Sequence, residues 1–301
     1  MATSNSASEV LAGARPRKGI DIWKGFKTFA RRQPIGMICA FIVLGVIMTA
    51  IFAPLIQPYG ETDVVARRLQ APSSKHLIGT DDIGRDVFSR TVNGARVSLM
   101  AGVIAVAIGT ASGAVIGISS GYLGGRTDLY IQRLVDAMLS MPSLILAMVL
   151  VTILGTGLIN SLLAIGIILI PTQSRIFRSS TLSIKQEMYV EAAKAIGAST
   201  PRILAKHIFP QVLPLIIIVA SAAVAVAIIV EASLSFLGLG VQPPTPSWGN
   251  MLSGPGRAYL ETAPWLVIGP GVAISITVLA YNLLGDSLRD VLDPRLRGSR
   301  R

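Results

Sequence analysis

The chain has 301 residues, of which 51% are hydrophobic and only 14% are charged. Soluble domains carry about 25% charged residues, whereas this sequence repeats apolar runs of about 20 residues, the length that crosses a bilayer as a helix. These features exclude a soluble protein built around one large core. The net charge of +11 would indicate nucleic acid or acidic partners in a soluble chain. Here it indicates basic loops on the inner side of a membrane, and no nucleic acid.

The apolar pattern predicts an all-α membrane protein that follows a polar tail. Residues 1–34 are too long a lead for a cleavable signal peptide, so we interpret them as a cytoplasmic N-terminal tail. The single cysteine, Cys39, excludes a disulfide framework within the chain. Six transmembrane helices are predicted, at about 35–56, 97–122, 137–157, 158–173, 209–236 and 264–285.

The distribution of Lys and Arg sets the orientation of these spans. With both termini inside, 20 of the 27 basic residues lie on the inner side and 7 on the outer side, which predicts cytoplasmic termini. Residues 57–96 then form an extracytoplasmic loop that is unusually basic for its side. Residues 97–288 form the core transmembrane domain, and residues 289–301 form a basic cytoplasmic C-terminal tail.

Small residues recur every four positions along the second predicted span. One stripe of that helix is nearly bare, so a neighbouring backbone can approach it closely, as helices in lipid do through small-xxx-small faces. We predict a tight helix–helix contact along Ala101, Ala105, Gly109, Gly113, Gly117 and Gly121.

The first outer loop ends in a segment with helical character. Thr80 or Asp81 can N-cap a helix, and Asp86 and Arg90 are four residues apart on it. The pattern predicts a short amphipathic helix on the outer surface that leads into the second span. Its apolar face consists of Val87, Phe88, Val92 and Ala95.

The chain carries few groups that could do chemistry. It has no phosphate-binding loop of the Gly-x-x-x-x-Gly-Lys-Ser/Thr type, so it is not expected to bind ATP in that way. The two histidines, His76 and His207, are predicted on opposite sides of the membrane, which excludes a shared metal site or catalytic pair. We predict no catalytic residue and no metal site.

Polar and aromatic residues lie near the outer ends of the last two spans. Glu231 is the only acid well inside a long apolar run, and lipid exposure of a carboxylate is costly. Together with Ser235 it either lines a translocation path, or it reaches the interface or pairs structurally. Trp248, Tyr259 and Trp265 are typical of an aromatic belt at the membrane interface.

The loop between the fourth and fifth spans has the pattern of two short helices. Ser183 and Gln186 form a capping-box pattern, Glu191 and Lys194 can pair, and Gly197 can end the first helix in a left-handed cap. A second helix then enters the fifth span. One apolar side of the first helix consists of Met188, Ala192 and Ile196, with Tyr189 and Ala193 adjacent.

This loop resembles the EAA loop of ABC-importer permeases. The motif comprises Glu-Ala-Ala at 191–193, a glycine at Gly197 and a closing proline at Pro210. The family pattern ends in Ile-x-Leu-Pro, whereas this chain has His207 and Phe209 at the first and third of those positions. The histidine is similar to the peptide-importer branch, and the phenylalanine keeps its position apolar.

Further segments resemble the same branch in the same order, over most of residues 35–297. They are IGTDDIGRDVFSR (78–90), NGARVSL (93–99), GYLGGRTD (121–128), RLVDAMLSMPSLIL (133–146), EASLSFLGLGVQPPTPSWGNML (231–252) and GDSLRDVLDPR (285–295). The ordered set resembles the C-type permease subunit of dipeptide, oligopeptide and nickel ABC importers.

The resemblance implies the type I ABC importer permease (MetI-like) architecture, with a coupling helix at 187–200 in a cytoplasmic loop at 183–208. Glu191 would anchor this helix, and Gly197 would provide the bend that aims it. The residues that the resemblance assigns to ATPase coupling are Glu187, Tyr189, Glu191, Ala192, Ala193, Gly197 and Pro210.

The resemblance also implies a non-catalytic, multi-pass subunit of the bacterial cytoplasmic membrane, without a cofactor of its own. ATP and Mg²⁺ would bind to two partner ATPase subunits. A second, B-type permease subunit and an extracytoplasmic substrate-binding protein would complete the transporter. Expected substrates are dipeptides and oligopeptides, with nickel and glutathione as alternatives. A stand-alone channel or secondary transporter is the other class, but the sequence has no visible selectivity filter or coupling-ion site.

Overall fold

The computed structural model describes residues 33–292, and this part of the chain is helical, with two isolated β-bridges in the loop before the longest helix. One turn, Leu204–Ile208, is π-helical. In chain order the helices are α1 (Pro34–Ile51), α2 (Ala53–Ile56), α3 (Val87–Leu123), α4 (Gly125–Leu139), α5 (Ser143–Leu154), α6 (Leu158–Ile184), α7 (Met188–Ala195), α8 (Thr200–Ile203), α9 (Phe209–Phe236), α10 (Trp248–Leu252), α11 (Gly254–Ala258) and α12 (Trp265–Leu292).

Five helical stretches are long and apolar enough to cross a membrane: α1, α3, α6, α12 and the continuous stretch from α8 through α9. Helices α4 and α5 are long and apolar enough to cross a membrane only when taken together, and they are bent by 94° where they join. The prediction of an all-α membrane protein is therefore confirmed, with five spans, or six if the bent pair counts as one.

The two ends of the bundle carry different segments of the chain. Lys185, just after α6, donates to the backbone oxygen of Tyr122, near the end of α3, at 2.6 Å. Ile208, before α9, is buried in the same apolar cluster as Tyr122. We call this the elbow end. The opposite end, the loop end, carries residues 57–86 and 237–264.

Helix α3 begins earlier than the predicted second span. Its first residue is Val87, and its N-cap is Asp86, whose Oδ2 accepts the Ser89 N–H at 2.8 Å. The predicted caps Thr80 and Asp81 are therefore wrong. A separate amphipathic surface helix is also wrong, because most residues of the first two turns of α3 are buried inside the protein.

The predicted third span does not form one straight helix. The range 137–157 crosses the break between Leu139, which ends α4, and Ser143, which begins α5. Pro142 lies at this break as the N-cap of α5. Proline has no backbone N–H and disfavours helical backbone in the preceding residue, so the helix is interrupted there.

Helix α6 continues well beyond the predicted fourth span, because its polar second half has partners on α4. Arg178 binds the Asp128 carboxylate in a bidentate pair, with contacts of 2.7 and 2.5 Å. Arg175 donates to Asp136. Ser183 still lies within α6, so the predicted capping box for the following helix is wrong.

Helix α3 packs along α6 through the small-residue stripe. In lipid, helices gain little from apolar burial, so close backbone packing matters more. All six residues are buried: Ala101, Ala105, Gly109, Gly113, Gly117 and Gly121. A Cβ on Gly109 would lie 2.8 Å from the Gly166 oxygen, one on Gly121 would lie 3.0 Å from the Arg178 oxygen, and one on Gly117 would overlap the Ser174 oxygen.

We expect Gly117→Ala to separate α3 from α6, because the added methyl group overlaps a backbone carbonyl that cannot rotate away. Overpacking of this kind costs about 1–3 kcal/mol. Thermal unfolding of the purified protein in detergent should show a lower midpoint. Gly45→Ala is the matched control, because a Cβ on Gly45 meets nothing within 4 Å. Equal midpoints for both variants would contradict the close contact.

Candidate functional site

At the elbow end, α7 is bounded by two sharp changes of backbone direction. Glu187 is its N-cap, with an extended backbone. Gly197 follows the helix with a φ of +81°. The Gly197 N–H donates to the backbone oxygen of Lys194 at 2.9 Å, and the Ala198 N–H donates to the backbone oxygen of Ala193 at 3.0 Å. This is the Schellman arrangement, which ends a helix with a left-handed residue. The left-handed turn predicted at Gly197 is present, and glycine adopts it without steric cost.

Helix α7 has one buried side and one exposed side. Val190 and Ala193 are buried against the ends of the spans. Met188 and Ile196, in contrast, are 84% and 86% exposed, and Ala192 is exposed beside them. The predicted apolar side of Met188, Ala192 and Ile196 is thus the exposed one, whereas Ala193, predicted beside it, is buried. The sequence pattern misses Val190, whose signal is its three-residue spacing from Ala193. Two large apolar side chains therefore face away from this chain.

A groove of about 370 Å³ runs beside α7. The rings of Tyr189 and His207, which both line it, are tilted by 40° with centroids 6.3 Å apart. Burial, followed by the nearby Glu187 carboxylate, raises the pKa of the Tyr189 phenol. The groove is lined by Tyr189, Ala192, Ala193, Ile196, Gly197, Ala198, Arg202 and His207.

The predicted ion pair between Glu191 and Lys194 is replaced by another contact. The Lys194 Nζ lies 5.4 Å from the centroid of the Tyr122 ring on α3, while Glu191 remains exposed. Pro210 lies in the first turn of α9, directly after the π-helical turn. The residues predicted to couple thus share the elbow end, except that Pro210 belongs to the following span.

At the loop end, buried charges hold residues 57–86 in place. The Asp81 Oδ1 accepts three backbone N–H groups, and its Oδ2 accepts the Arg85 Nε–H at 2.6 Å. The Asp86 Oδ1 lies 3.0 Å from the His76 Nδ1. Hydrogen bonds to carboxylates are among the stronger ones in proteins. This loop is therefore a fixed structure, which its aspartate-rich sequence alone did not indicate.

A cavity of about 560 Å³ lies between this loop and the segment after α9. Asp82 borders it, and its Oδ1 has no hydrogen-bond partner. Burial and then the adjacent Asp81 charge raise the pKa of the Asp82 carboxyl, against the opposing effects of Arg85 and Arg90. Other polar side chains that line the cavity are Ser235, Gln242, Asn250 and Ser253.

Glu231 is completely buried within this chain. Its carboxylate accepts the Ser235 hydroxyl at 2.7 Å and the Ser98 hydroxyl at 3.2 Å. Those hydroxyls in turn accept backbone N–H groups, Ser235 from Val241 at 3.0 Å and Ser98 from Trp248 at 3.3 Å. The network joins α9, α3 and the start of α10. Ser235 borders the cavity, whereas Glu231 is not among the residues that line it.

The predicted aromatic belt is wrong for Trp248. This residue is 2% exposed, and its indole N–H donates to the Thr91 oxygen at 2.9 Å. Trp265 is partly buried and donates to the Thr80 oxygen at 3.3 Å. Tyr259 is also partly buried. Trp248 thus fastens α10 to α3, and Trp265 fastens the start of α12 to the loop at 57–86, because a buried indole N–H requires an acceptor.

The two histidines lie at opposite ends of the bundle. His76 belongs to the charged loop, and His207 belongs to the elbow groove. Within residues 33–292, no group of three or more His, Cys, Asp or Glu side chains is arranged to hold a metal ion.

Comparison with known proteins agrees with this architecture. Residues 113–298 match the family described as binding-protein-dependent transport system inner membrane component. Residues 21–72 match the N-terminal TM domain of oligopeptide transport permease C. The dipeptide transport system permease protein DppC of Alkalihalophilus pseudofirmus is 42% identical over 277 residues, 91% of this chain and 90% of that protein.

A second group of relatives carries a different name. The glutathione transport system permease protein GsiD of Escherichia coli O157:H7 is 44% identical over 278 residues, 92% of this chain and 91% of that protein. The GsiD protein of Shigella sonnei has the same identity and coverage.

The bundle and its elbow define a multi-pass membrane permease component. The chain belongs to the family of binding-protein-dependent transport system inner membrane components. The resemblance to ABC-importer permeases is thereby confirmed.

We expect Glu231→Leu to destabilise the protein, because the Ser98 and Ser235 hydroxyls lose their acceptor. A buried polar group left without a partner costs about 1–3 kcal/mol. Glu231→Gln keeps the shape of the side chain and one acceptor oxygen, so its unfolding midpoint in detergent should fall less. An unchanged midpoint for Glu231→Leu would contradict the role of the network.

Uptake by the assembled transporter separates the two interpretations of Glu231. If Glu231→Gln transports at the wild-type rate, the carboxylate has a structural role. If Glu231→Gln keeps its unfolding midpoint but loses uptake, the carboxylate belongs to the translocation path.

Proposed function

We propose that this chain is a permease subunit of an ATP-driven importer that carries short peptides across the bacterial cytoplasmic membrane. It forms part of the path with a second permease subunit. Two ATPase subunits bind and hydrolyse ATP with Mg²⁺, and an extracytoplasmic binding protein delivers the substrate. The chain itself is not an enzyme. The observation that carries the proposal is α7, whose ends are fixed while its outer face exposes Met188 and Ile196.

The names of the relatives support short peptides as the substrate class. DppC is named for dipeptide transport and GsiD for glutathione transport, and glutathione is itself a small peptide. The two groups are similarly close in identity to this chain. We therefore propose peptides of this size, with glutathione as the second candidate.

The charge distribution supports a cytoplasmic elbow end. Basic residues lie within or just after the helices there, and such residues concentrate on the cytoplasmic side of membrane proteins. The beginning and the end of the described part of the chain also lie close together, because the Gln33 side-chain amide donates to the Asp290 carboxylate at 3.0 Å. Both termini would then be cytoplasmic, and the loop end would face the binding protein. Residues at the elbow end with this charge include Arg126, Arg133, Lys185, Lys194, Arg202 and Lys206.

The mechanism is the transmission of motion through α7. The exposed face of α7, with Glu187, Glu191 and Ala192, contacts an ATPase subunit. The buried face, with Val190 and Ala193, contacts the ends of the spans. When two ATPases close around ATP, displacement of α7 shifts those ends and changes which side of the path is open. Pro210 begins the span that follows, and Ser235 lies at its other end beside the loop-end cavity.

We expect Gly197→Asp and Glu191→Lys to uncouple transport. An aspartate side chain at a φ of +81° is strained, and a lysine inverts the charge on the face that meets the ATPase. Uptake and substrate-stimulated ATP hydrolysis should fall together by about tenfold, within the range of coupling free energies of ~1–3 kcal/mol. The measurement uses the complete transporter in liposomes, with dipeptide, glutathione and Ni²⁺ compared as substrates.

Gly157→Asp is the matched control, because Gly157 also has a positive φ with open space around it but lies at the loop end. It should leave both rates near wild type. Normal transport by both elbow variants would overturn the coupling role of α7.

A further inference from the structure

One aromatic ring connects three helices at the elbow end. Tyr122 is the residue before last in α3, and it is buried, with 7% of its surface exposed. The Lys185 Nζ, from the C-cap of α6, lies 5.5 Å from the ring centroid. The Lys194 Nζ, from the last turn of α7, lies 5.4 Å from the same centroid. We call these three side chains the Tyr122 clamp.

Both lysine contacts are physically favourable. An ammonium group within about 6 Å of an aromatic centroid is attracted by the electron density of the ring face. Lys185 also donates to the Tyr122 backbone oxygen at 2.6 Å, one of the carbonyls that a helix end leaves without an intrahelical donor. Positive charge near a helix C-terminus is stabilising in addition. Lys185 therefore holds the ring in place, and Lys194 attaches α7 to it.

The apolar contacts of α7 do not by themselves fix its position against the ends of the spans. Its buried residues, Val190 and Ala193, are small and belong to an apolar cluster that includes Phe177 and Val212. Apolar attraction is non-directional, so such a face resists separation but does little to prevent sliding. A cation near a fixed ring adds a second, directional attachment at the C-terminal end of α7. With Val190 nearer the other end, the helix is held at two points.

We propose that Tyr122 is a positioning residue for coupling: through Lys185 and Lys194 it makes α7 move together with the ends of α3 and α6. This inference rests on the proposed function, in which α7 receives motion from an ATPase. The clamp does not contact the substrate or the ATP. It determines how much of the displacement of α7 reaches the spans.

The test uses paired substitutions in the complete transporter, reconstituted in lipid nanodiscs or liposomes. Lys194→Met removes the cation and keeps the length, whereas Lys194→Arg keeps the cation. Tyr122→Leu removes the ring, whereas Tyr122→Phe keeps it. Lys206→Met is the control, because it removes a positive charge at the same end from an exposed position outside the clamp.

Two quantities are measured for each variant. Hydrogen exchange of the α7 backbone amides without nucleotide reports how firmly the helix is held. The number of substrate molecules imported per ATP hydrolysed reports coupling. We expect Lys194→Met and Tyr122→Leu to speed α7 exchange and to lower the import ratio, each by about threefold, as expected for loss of one cation–π contact. Lys194→Arg, Tyr122→Phe and Lys206→Met should remain close to wild type.

Unchanged α7 exchange in Lys194→Met and Tyr122→Leu would overturn the inference, because the clamp would then hold nothing. Faster exchange with a normal import ratio would also overturn it, because a loosened α7 would still couple. The elbow variants Gly197→Asp and Glu191→Lys separate this failure from failure of the proposed function. If they abolish coupling while the clamp variants do not, only the clamp is wrong.

Discussion

The close contact between α3 and α6 organises the bundle. Lipid gives apolar helices little reason to associate, so the pair is held by backbone approach along the glycine stripe. Gly109, Gly117 and Gly121 face carbonyl oxygens of α6; Gly109 and Gly117 leave no room for a Cβ, and at Gly121 a Cβ would make a tight contact of 3.0 Å. Because packed interiors resist deformation, the pair behaves as one body that connects the loop end to the elbow end.

Polar contacts attach further helices to the α3–α6 pair at both of its ends. At the elbow end, Asp128 and Arg178 fasten α4 to α6, and the Tyr122 clamp adds α7. At the loop end, the Glu231 network fastens α9 and the start of α10 to α3. A charged pair inside a membrane protein is costly unless each group has a partner. These polar and charged side chains find their partners only when the helices are packed as observed. The polar contacts therefore also favour this packing of the helices over others.

Much of this architecture could be predicted from local patterns. Apolar length identified five of the six predicted spans but missed the break at Pro142. Four-residue spacing identified the face of α3 that meets α6, and the glycine at 197 identified the turn after α7. Each of these signals lies within a few residues of the structure that it determines. The EAA loop likewise identified the elbow, since its residues are contiguous in the chain.

The features that could not be predicted depend on partners far away in sequence. Helix α6 continues through its polar half because Arg178 meets Asp128, 50 residues earlier. Trp248 is buried because its N–H finds the Thr91 oxygen, 157 residues away. Lys194 was expected to pair with its neighbour Glu191, but its ammonium group lies over the Tyr122 ring on α3 instead. In each case a tertiary contact outweighs the local preference.

We infer that α7 moves as one body with α3 and α6 during the ATP cycle. Electron paramagnetic resonance distances in the complete transporter test it most directly, with spin labels at Met188 on α7 and Leu123 at the end of α3, both exposed. We expect an unchanged distance between these labels in the nucleotide-free and ATP-bound states, while the distance from Met188 to a label on the second permease subunit changes. A shift in the distance between Met188 and Leu123 on ATP binding would contradict it.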